Sequence, residues 1–289
     1  MPDGTAVNSQ KGGKLPPMCY TYDGSFEGLL CCVYESYVAH QEITDIVPLW
    51  EAQATLYATR NIETNAANAA RVYASLAKKL GIQGRYLVTT AFLYGGEEKA
   101  ADIYRFIAMG YKLGTAAAYM LGDERVSRVR KMSRAVLNEA HQFTGFVRFS
   151  QYSGAALPPS LAAEQHSLME AEDRKIGCYL PTGALAAVIE PKHHILSLIS
   201  SHFCSRYPEE QFIIFDRTHK QALVYRPRQV SLMTMEEFAL PPAEDEEVLC
   251  RRLWKGYYDA VAIEARENPK CRMTHLPKRF WANLTEMGV

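Results

Sequence analysis

The chain has 289 residues, 48% of them hydrophobic and 22% charged, and a formal net charge of zero. That composition is ordinary for a globular protein with a sizeable core, and it removes any global electrostatic argument for a nucleic-acid partner. No apolar run approaches the ~18 residues of a membrane span, so no membrane association is expected. The seven cysteines (19, 31, 32, 178, 204, 250 and 271) contain no CxxC. They fit reduced thiols in a cytoplasmic protein better than a disulfide framework, and their scatter suits neither zinc nor an iron–sulfur cluster. No metal site and no cofactor are expected.

The first 17 residues, MPDGTAVNSQKGGKLPP, are polar and rich in Gly and Pro without an apolar h-region. They predict a disordered tail rather than a signal peptide. Cys19–Tyr22 follows as a short strand and Asp23-Gly24 as a turn. Ser25 then caps a helix with Phe26, Leu29, Leu30, Val33 and Tyr37 at helical spacing. Asp23 reads either as a site residue at the strand's end or as a turn carboxylate satisfying backbone N–H groups. Thr55–Glu63 is a second strand candidate. Thr64 or Asn65 caps the helix after it, with a stripe of Ala69, Val72, Tyr73, Leu76 and Leu80 and a stop at Gly81. Helices are predicted over 84–94 and 97–113, the latter with Ile103, Phe106 and Ile107 on one face. Glu97 and Glu98 after Gly95-Gly96 argue against a phosphate there.

A helix from Asp123 to His141 gathers Val126, Val129, Met132, Val136, Leu137 and Ala140 in one arc, with Arg128, Arg130, Lys131 and Arg134 on the opposite arc. His141, placed at its C-terminal end, reads as a cap or as a catalytic group. Gly145 turns the chain into an alternating strand Phe146–Phe149, with Arg148 on the face away from the core. Residues 153–177 read as an inserted surface loop. The sheet resumes at Leu185–Glu190, a helix spans His194–Tyr207, and Phe212–Asp216 and Ala222–Arg226 form a hairpin across RTHKQ. Residues 227–243, with prolines at 227, 241 and 242, read as a linker. Asp245 opens a helix in which Leu249, Leu253, Tyr257 and Val261 step by four, ending before Asn268-Pro269. In the last stretch Lys270, Arg272, Lys278 and Arg279 interleave with Phe280 and Trp281. That mixture suits either nucleic-acid binding or a docked helix with snorkelling cations.

The expected fold is α+β: a helical N-terminal half with short strands, a central antiparallel β-β-α-β-β sheet, and a C-terminal helix packed back. After the tail at 1–17, residues 18–289 are expected to form a single domain. It is helix-rich over 18–143, a sheet over 144–232, and helical again over 244–289.

Six blocks occur in order: YDGSFEGLL (22–30), EAHQFTGFVRF (139–149), IEPKHHIL (189–196), HF-x₃-YP (202–208), FIIFDRTHKQALVY (212–225) and NPK-x₇-PKRFW (268–281). Together they resemble a bacterial family built on a domain of unknown function and associated with DNA repair or DNA metabolism. Its members accompany a radical-SAM protein, and some are fused to a uracil-DNA-glycosylase-like domain. The radical-SAM cysteine triplet and any glycosylase motif are absent from this chain, and His194 stands where the family pattern has a smaller polar residue. The resemblance implies a DNA-binding accessory subunit with a radical-SAM partner. Its nucleic-acid contacts are expected at Arg128, Arg130, Lys131, Arg134, Arg272, Lys278, Arg279 and Trp281. Two other readings stay open: an enzyme acting on a base or phosphodiester through Asp23, His141 and Arg148, and a structural adaptor whose cations are only solvated.

Overall fold

The computed structural model describes residues 18–41, 43–54, 58–152, 184–238, 243 and 245–287. The expected tail at 1–17 and inserted loop at 153–177 lie outside the described residues. The chain is a mixed α+β protein, and its contacts divide it into two compact units, Met1–Arg134 and Ala135–Val289.

In the first unit, β1 (Met18–Tyr22) is the middle strand of a parallel sheet, between β2 (Ile43–Pro48) and β3 (Thr59–Asn61). Helix α1 (Phe26–Val38) starts at the expected cap, with the Gly28 N–H donating to Ser25 Oγ at 2.9 Å. Helix α2 (Ala66–Phe92) is capped by Asn65 and interrupted at Gly81, whose φ of 77° is left-handed backbone that glycine tolerates. The break expected at Gly81 is therefore present, although the two stretches run on in one rod. Helix α3 (Lys99–Leu113) lies close to α2: a Cβ at Gly110 would come within 2.5 Å of Leu80 Cγ. The core of this unit gathers the stripes read from the sequence, including Leu29, Leu80, Ile103, Phe106 and Ile107, with Val126 and Val129 from α4 (Glu124–Phe146). Strand β2 was not anticipated.

In the second unit five strands run in the order β4 (Ser150–Tyr152), β5 (Ala184–Ile189), β6 (Phe212–Asp216), β7 (Gln221–Arg226), β8 (Gln229–Thr234). The expected antiparallel sheet is mixed instead: β5 and β6 are parallel, and the other pairs are antiparallel. Helix α5 (Leu196–Arg206) sits between β5 and β6 in sequence. A helical crossover returns the chain to the end where the previous strand began, so the next strand must run the same way. The expected linker at 227–243 holds strand β8, joined to β7 by a tight turn in which Arg228 takes a φ of 69°.

Two further expectations are corrected here. Helix α4 continues to Phe146, so the strand expected over Phe146–Phe149 does not form and β4 begins at Ser150. Tertiary packing explains the extension: Phe143 and Phe146, one turn apart, place their rings 5.0 and 4.9 Å from that of Phe280. Phe149 still turns inward, against Phe203, Tyr207 and Phe212. Helix α6 (Asp245–Ala260) begins where expected, ends eight residues before Asn268, and buries none of its residues. A short helix α7 (Pro269–His275) follows, capped by Asn268.

Candidate functional site: carboxylate–histidine cluster and basic cleft

The residues expected to be catalytic fall in both units. Asp23 belongs to the first, at the carboxyl end of the middle parallel strand, where open parallel sheets tend to hold ligands. Its Oδ1 accepts from the Ser25 N–H and Oγ–H at 2.9 and 2.6 Å, and its Oδ2 from Thr64 Oγ1 at 2.7 Å. Burial pulls its pKa upward, but these bonds prevail and hold the carboxyl below its usual range. His141 and Arg148 belong to the second unit. His141 is exposed on α4, five residues before the helix ends, so it does not cap that helix. Arg148 precedes the sheet rather than lying in it. Its guanidinium makes a two-pronged pair with Glu286, at 2.7 and 3.3 Å, and also donates to the Gly145 carbonyl at 2.8 Å.

Glu286 is buried and also accepts from Trp254 Nε1 at 3.1 Å. Burial raises its pKa, but the bonds from Arg148 and Trp254 more than reverse that, leaving it lowered. A carboxyl with a depressed folded pKa stabilises the fold above its unfolded value and loses that contribution as pH falls through the folded one. Acid unfolding of the second unit is therefore expected to steepen below about pH 4.5, the group's ordinary value. Glu286→Gln should show a shallower acid limb in a pH series of thermal melts.

Of the cations expected to bind nucleic acid, several are engaged internally. Arg128 pairs with Glu124 and Asp102, and the Arg130 guanidinium donates to the Ala118 carbonyl at 2.8 Å. Lys131 and Arg134 are exposed and make no ion pair among the described residues. In the second unit Arg279 pairs with Glu139 and lies over the Phe280 ring at 4.4 Å. Arg272 and Lys278 stand 5.6 and 5.8 Å from the Trp281 ring centre, and the Trp281 indole N–H donates to the Leu276 carbonyl. Cation–π contacts and this bond give the half-buried Trp281 an internal role.

Two constellations in the second unit escaped sequence reasoning. The first gathers at the carboxyl ends of the parallel pair β5 and β6, where Ile189 lies opposite Asp216. Asp216 has no exposed surface, and its carboxylate accepts from the His219 N–H at 3.0 Å while its other oxygen lies 2.6 Å from His219 Nδ1. That bond places a proton on Nδ1, so the neutral imidazole carries its lone pair on Nε2. The His194 ring lies 3.9 Å from that of His219. Beside it, Glu139 accepts from the Lys192 and His193 backbone N–H groups at 3.1 and 2.8 Å and from Arg279. Burial first, with Arg279 and His219 adding to it against the pull of Glu139, holds the His193 imidazole below its usual pKa. A buried carboxylate that orients an imidazole is an arrangement able to move a proton. The D-x-x-H spacing in FDRTHK was the available sequence signal, but only the hairpin geometry gives it meaning.

The second constellation is a cleft of about 910 Å³ between β5, α6 and residues 282–285. Arg148, Arg251, Arg252 and Lys255 line it, with Asp259 as its one carboxylate. Arg251 also bonds Ser150 Oγ at 2.7 Å and Glu247 at 2.8 Å, and Lys255 pairs with Asp259. Among the described residues, no cluster of three or more His, Cys, Asp or Glu side chains could hold a metal ion. No helix among them is long and apolar enough to cross a membrane.

Fold and site together define a mixed α+β protein with a cation-lined cleft beside a carboxylate–histidine cluster. The chain belongs to the family described as a domain of unknown function, DUF4130, whose profile matches residues 97–171 and 174–286. The blocks from 139 to 281 lie inside that match, and the block at 22–30 lies ahead of it. No curated protein and no solved structure matches the chain.

Proposed function

We propose that the chain is a nucleic-acid-binding protein of DNA repair or DNA metabolism and acts as an accessory subunit to a radical-SAM DNA modification or repair enzyme. The cation-lined cleft carries the nucleic-acid half of this reading, and the family resemblance carries the partner. Arg252 is exposed and unpaired among the described residues. The Arg251–Glu247 and Lys255–Asp259 pairs are partly exposed and one helical turn apart, so a phosphate displaces either carboxylate at little cost. Lys131, Arg134, Arg272, Lys278 and Trp281 extend the set of proposed contacts. Anisotropy of a labelled single strand, titrated at rising salt, tests the proposal. Neutralising three phosphates gives a log–log slope of about −2, at about −0.7 for each. Arg252→Glu with Lys255→Glu should weaken binding to every sequence and flatten the slope. Affinity indifferent to salt would remove the nucleic-acid half of the reading.

A catalytic reading is favoured by one observation, the buried Asp216 carboxylate on His219 Nδ1. Incubation of the purified chain with damaged duplex tests it. Product that forms with the native chain and vanishes in His219→Gln supports an enzyme, and its absence from the native chain removes that reading.

A further inference from the structure

Helix α6 carries the feature that neither the family nor the sequence blocks assign. A helix with a hydrophobic stripe normally lays that stripe on a core, because apolar area left in water forgoes roughly 25 cal/mol per Å². None of α6 is buried, and Trp254 and Tyr257 remain 42% and 60% exposed. Their rings lie 5.9 Å apart and only 31° from parallel, so together they present a broad flat surface. Trp254 is held in that pose by its bond to the buried Glu286, which removes part of the ordering cost of any ring that stacks on it.

On the adjoining flank of the same helix stand Arg251, Arg252 and Lys255, the cations of the cleft wall. Arg251, Trp254 and Tyr257 follow one another at three-residue steps, so they are neighbours along one side of the helix. A cation row beside a row of aromatic faces matches a strand whose phosphates lie on one side and whose bases are free on the other. A duplex does not offer that combination, since its bases are already stacked on one another. Three of the four cleft cations, Arg148, Arg251 and Lys255, have carboxylate partners in Glu286, Glu247 and Asp259. Phosphate attraction alone is therefore modest here, and base stacking must supply much of the affinity.

We infer that α6 is a single-strand platform: Trp254 and Tyr257 stack unpaired bases while Arg251, Arg252 and Lys255 take the adjoining phosphates. This rests on the nucleic-acid reading above and narrows it to unpaired strands. The test compares three fluorescent probes on the full chain: an oligothymidylate, an abasic oligomer of equal length and phosphate count, and the oligothymidylate annealed to its complement. The expected result is binding of oligothymidylate about tenfold or more tighter than of either other probe. Tyr257→Ala, at an exposed position, should lose about tenfold on oligothymidylate and nothing on the abasic oligomer, whereas Trp254→Phe, which keeps a ring, should lose less than Trp254→Ala. Equal affinity for base-bearing and abasic strands, tighter binding of the duplex, or an unaltered Tyr257→Ala would overturn the platform while leaving the nucleic-acid reading in place. No binding of any probe at low salt overturns both.

Discussion

Replacing Glu139 with alanine is expected to destabilise the Ala135–Val289 unit by about 3–5 kcal/mol, the cost of breaking a buried charged pair by removing one partner. Glu139 is only 3% exposed, and it receives the Arg279 guanidinium and the backbone N–H groups of Lys192 and His193. Alanine leaves all three donors without their acceptor, one of them charged, in a region that water reaches poorly. For a unit of this size each kcal/mol shifts the melting midpoint by about 2–4 °C, so a drop on the order of 10 °C is expected in calorimetry. Glu139→Gln keeps one acceptor oxygen and should recover part of the loss. A midpoint within 2 °C of the native protein for Glu139→Ala would show that the carboxylate is not holding these segments.

Phe106→Ala is expected to cost the Met1–Arg134 unit a similar 3–5 kcal/mol, by a different mechanism. Phe106 is fully buried in the cluster that also holds Leu80, Ile103 and Ile107. Its removal forfeits the transfer energy of a phenyl ring and leaves a cavity that the two adjacent helices cannot collapse to fill, because they already touch where Gly110 meets Leu80. Denaturant unfolding should show a lower midpoint at unchanged slope, and Phe106→Leu should lose much less. A similar loss for both substitutions would show that the cavity is not the cause.

The two predictions differ in how visible their residues were beforehand. Phe106 belongs to a stripe of Ile103, Phe106 and Ile107, and a 3.6-residue period forces such residues onto one face whatever that face meets. Caps at Ser25, Asn65 and Asn268, the break at Gly81 and the hairpin at 217–220 were legible for the same reason: each is decided by neighbours within a few residues. Glu139 gave no such signal, since its partners lie at 192, 193 and 279 and no local rule joins those numbers. The cleft was equally hidden. Its cations come from residue 148 and from 251–255, and its floor from β5.

Local pattern also misled where packing overrode it. Thr144-Gly145 resembles a turn, yet α4 passes through both because Phe143 and Phe146 gain a common partner in Phe280. The stripe on α6 resembles a packing face, yet its residues stand in solvent beside the cleft. Periodicity thus determined which segments became helices and strands and which faces were apolar, because those follow from backbone geometry and side-chain spacing. Tertiary structure alone decided the parallel pairing of β5 with β6. It alone also brought Asp216, His219 and Glu139 to one end of the sheet and ranged Trp254 and Tyr257 along the cation-lined cleft. Those arrangements depend on contacts between residues far apart in the chain, and only the closing of the fold sets their distances.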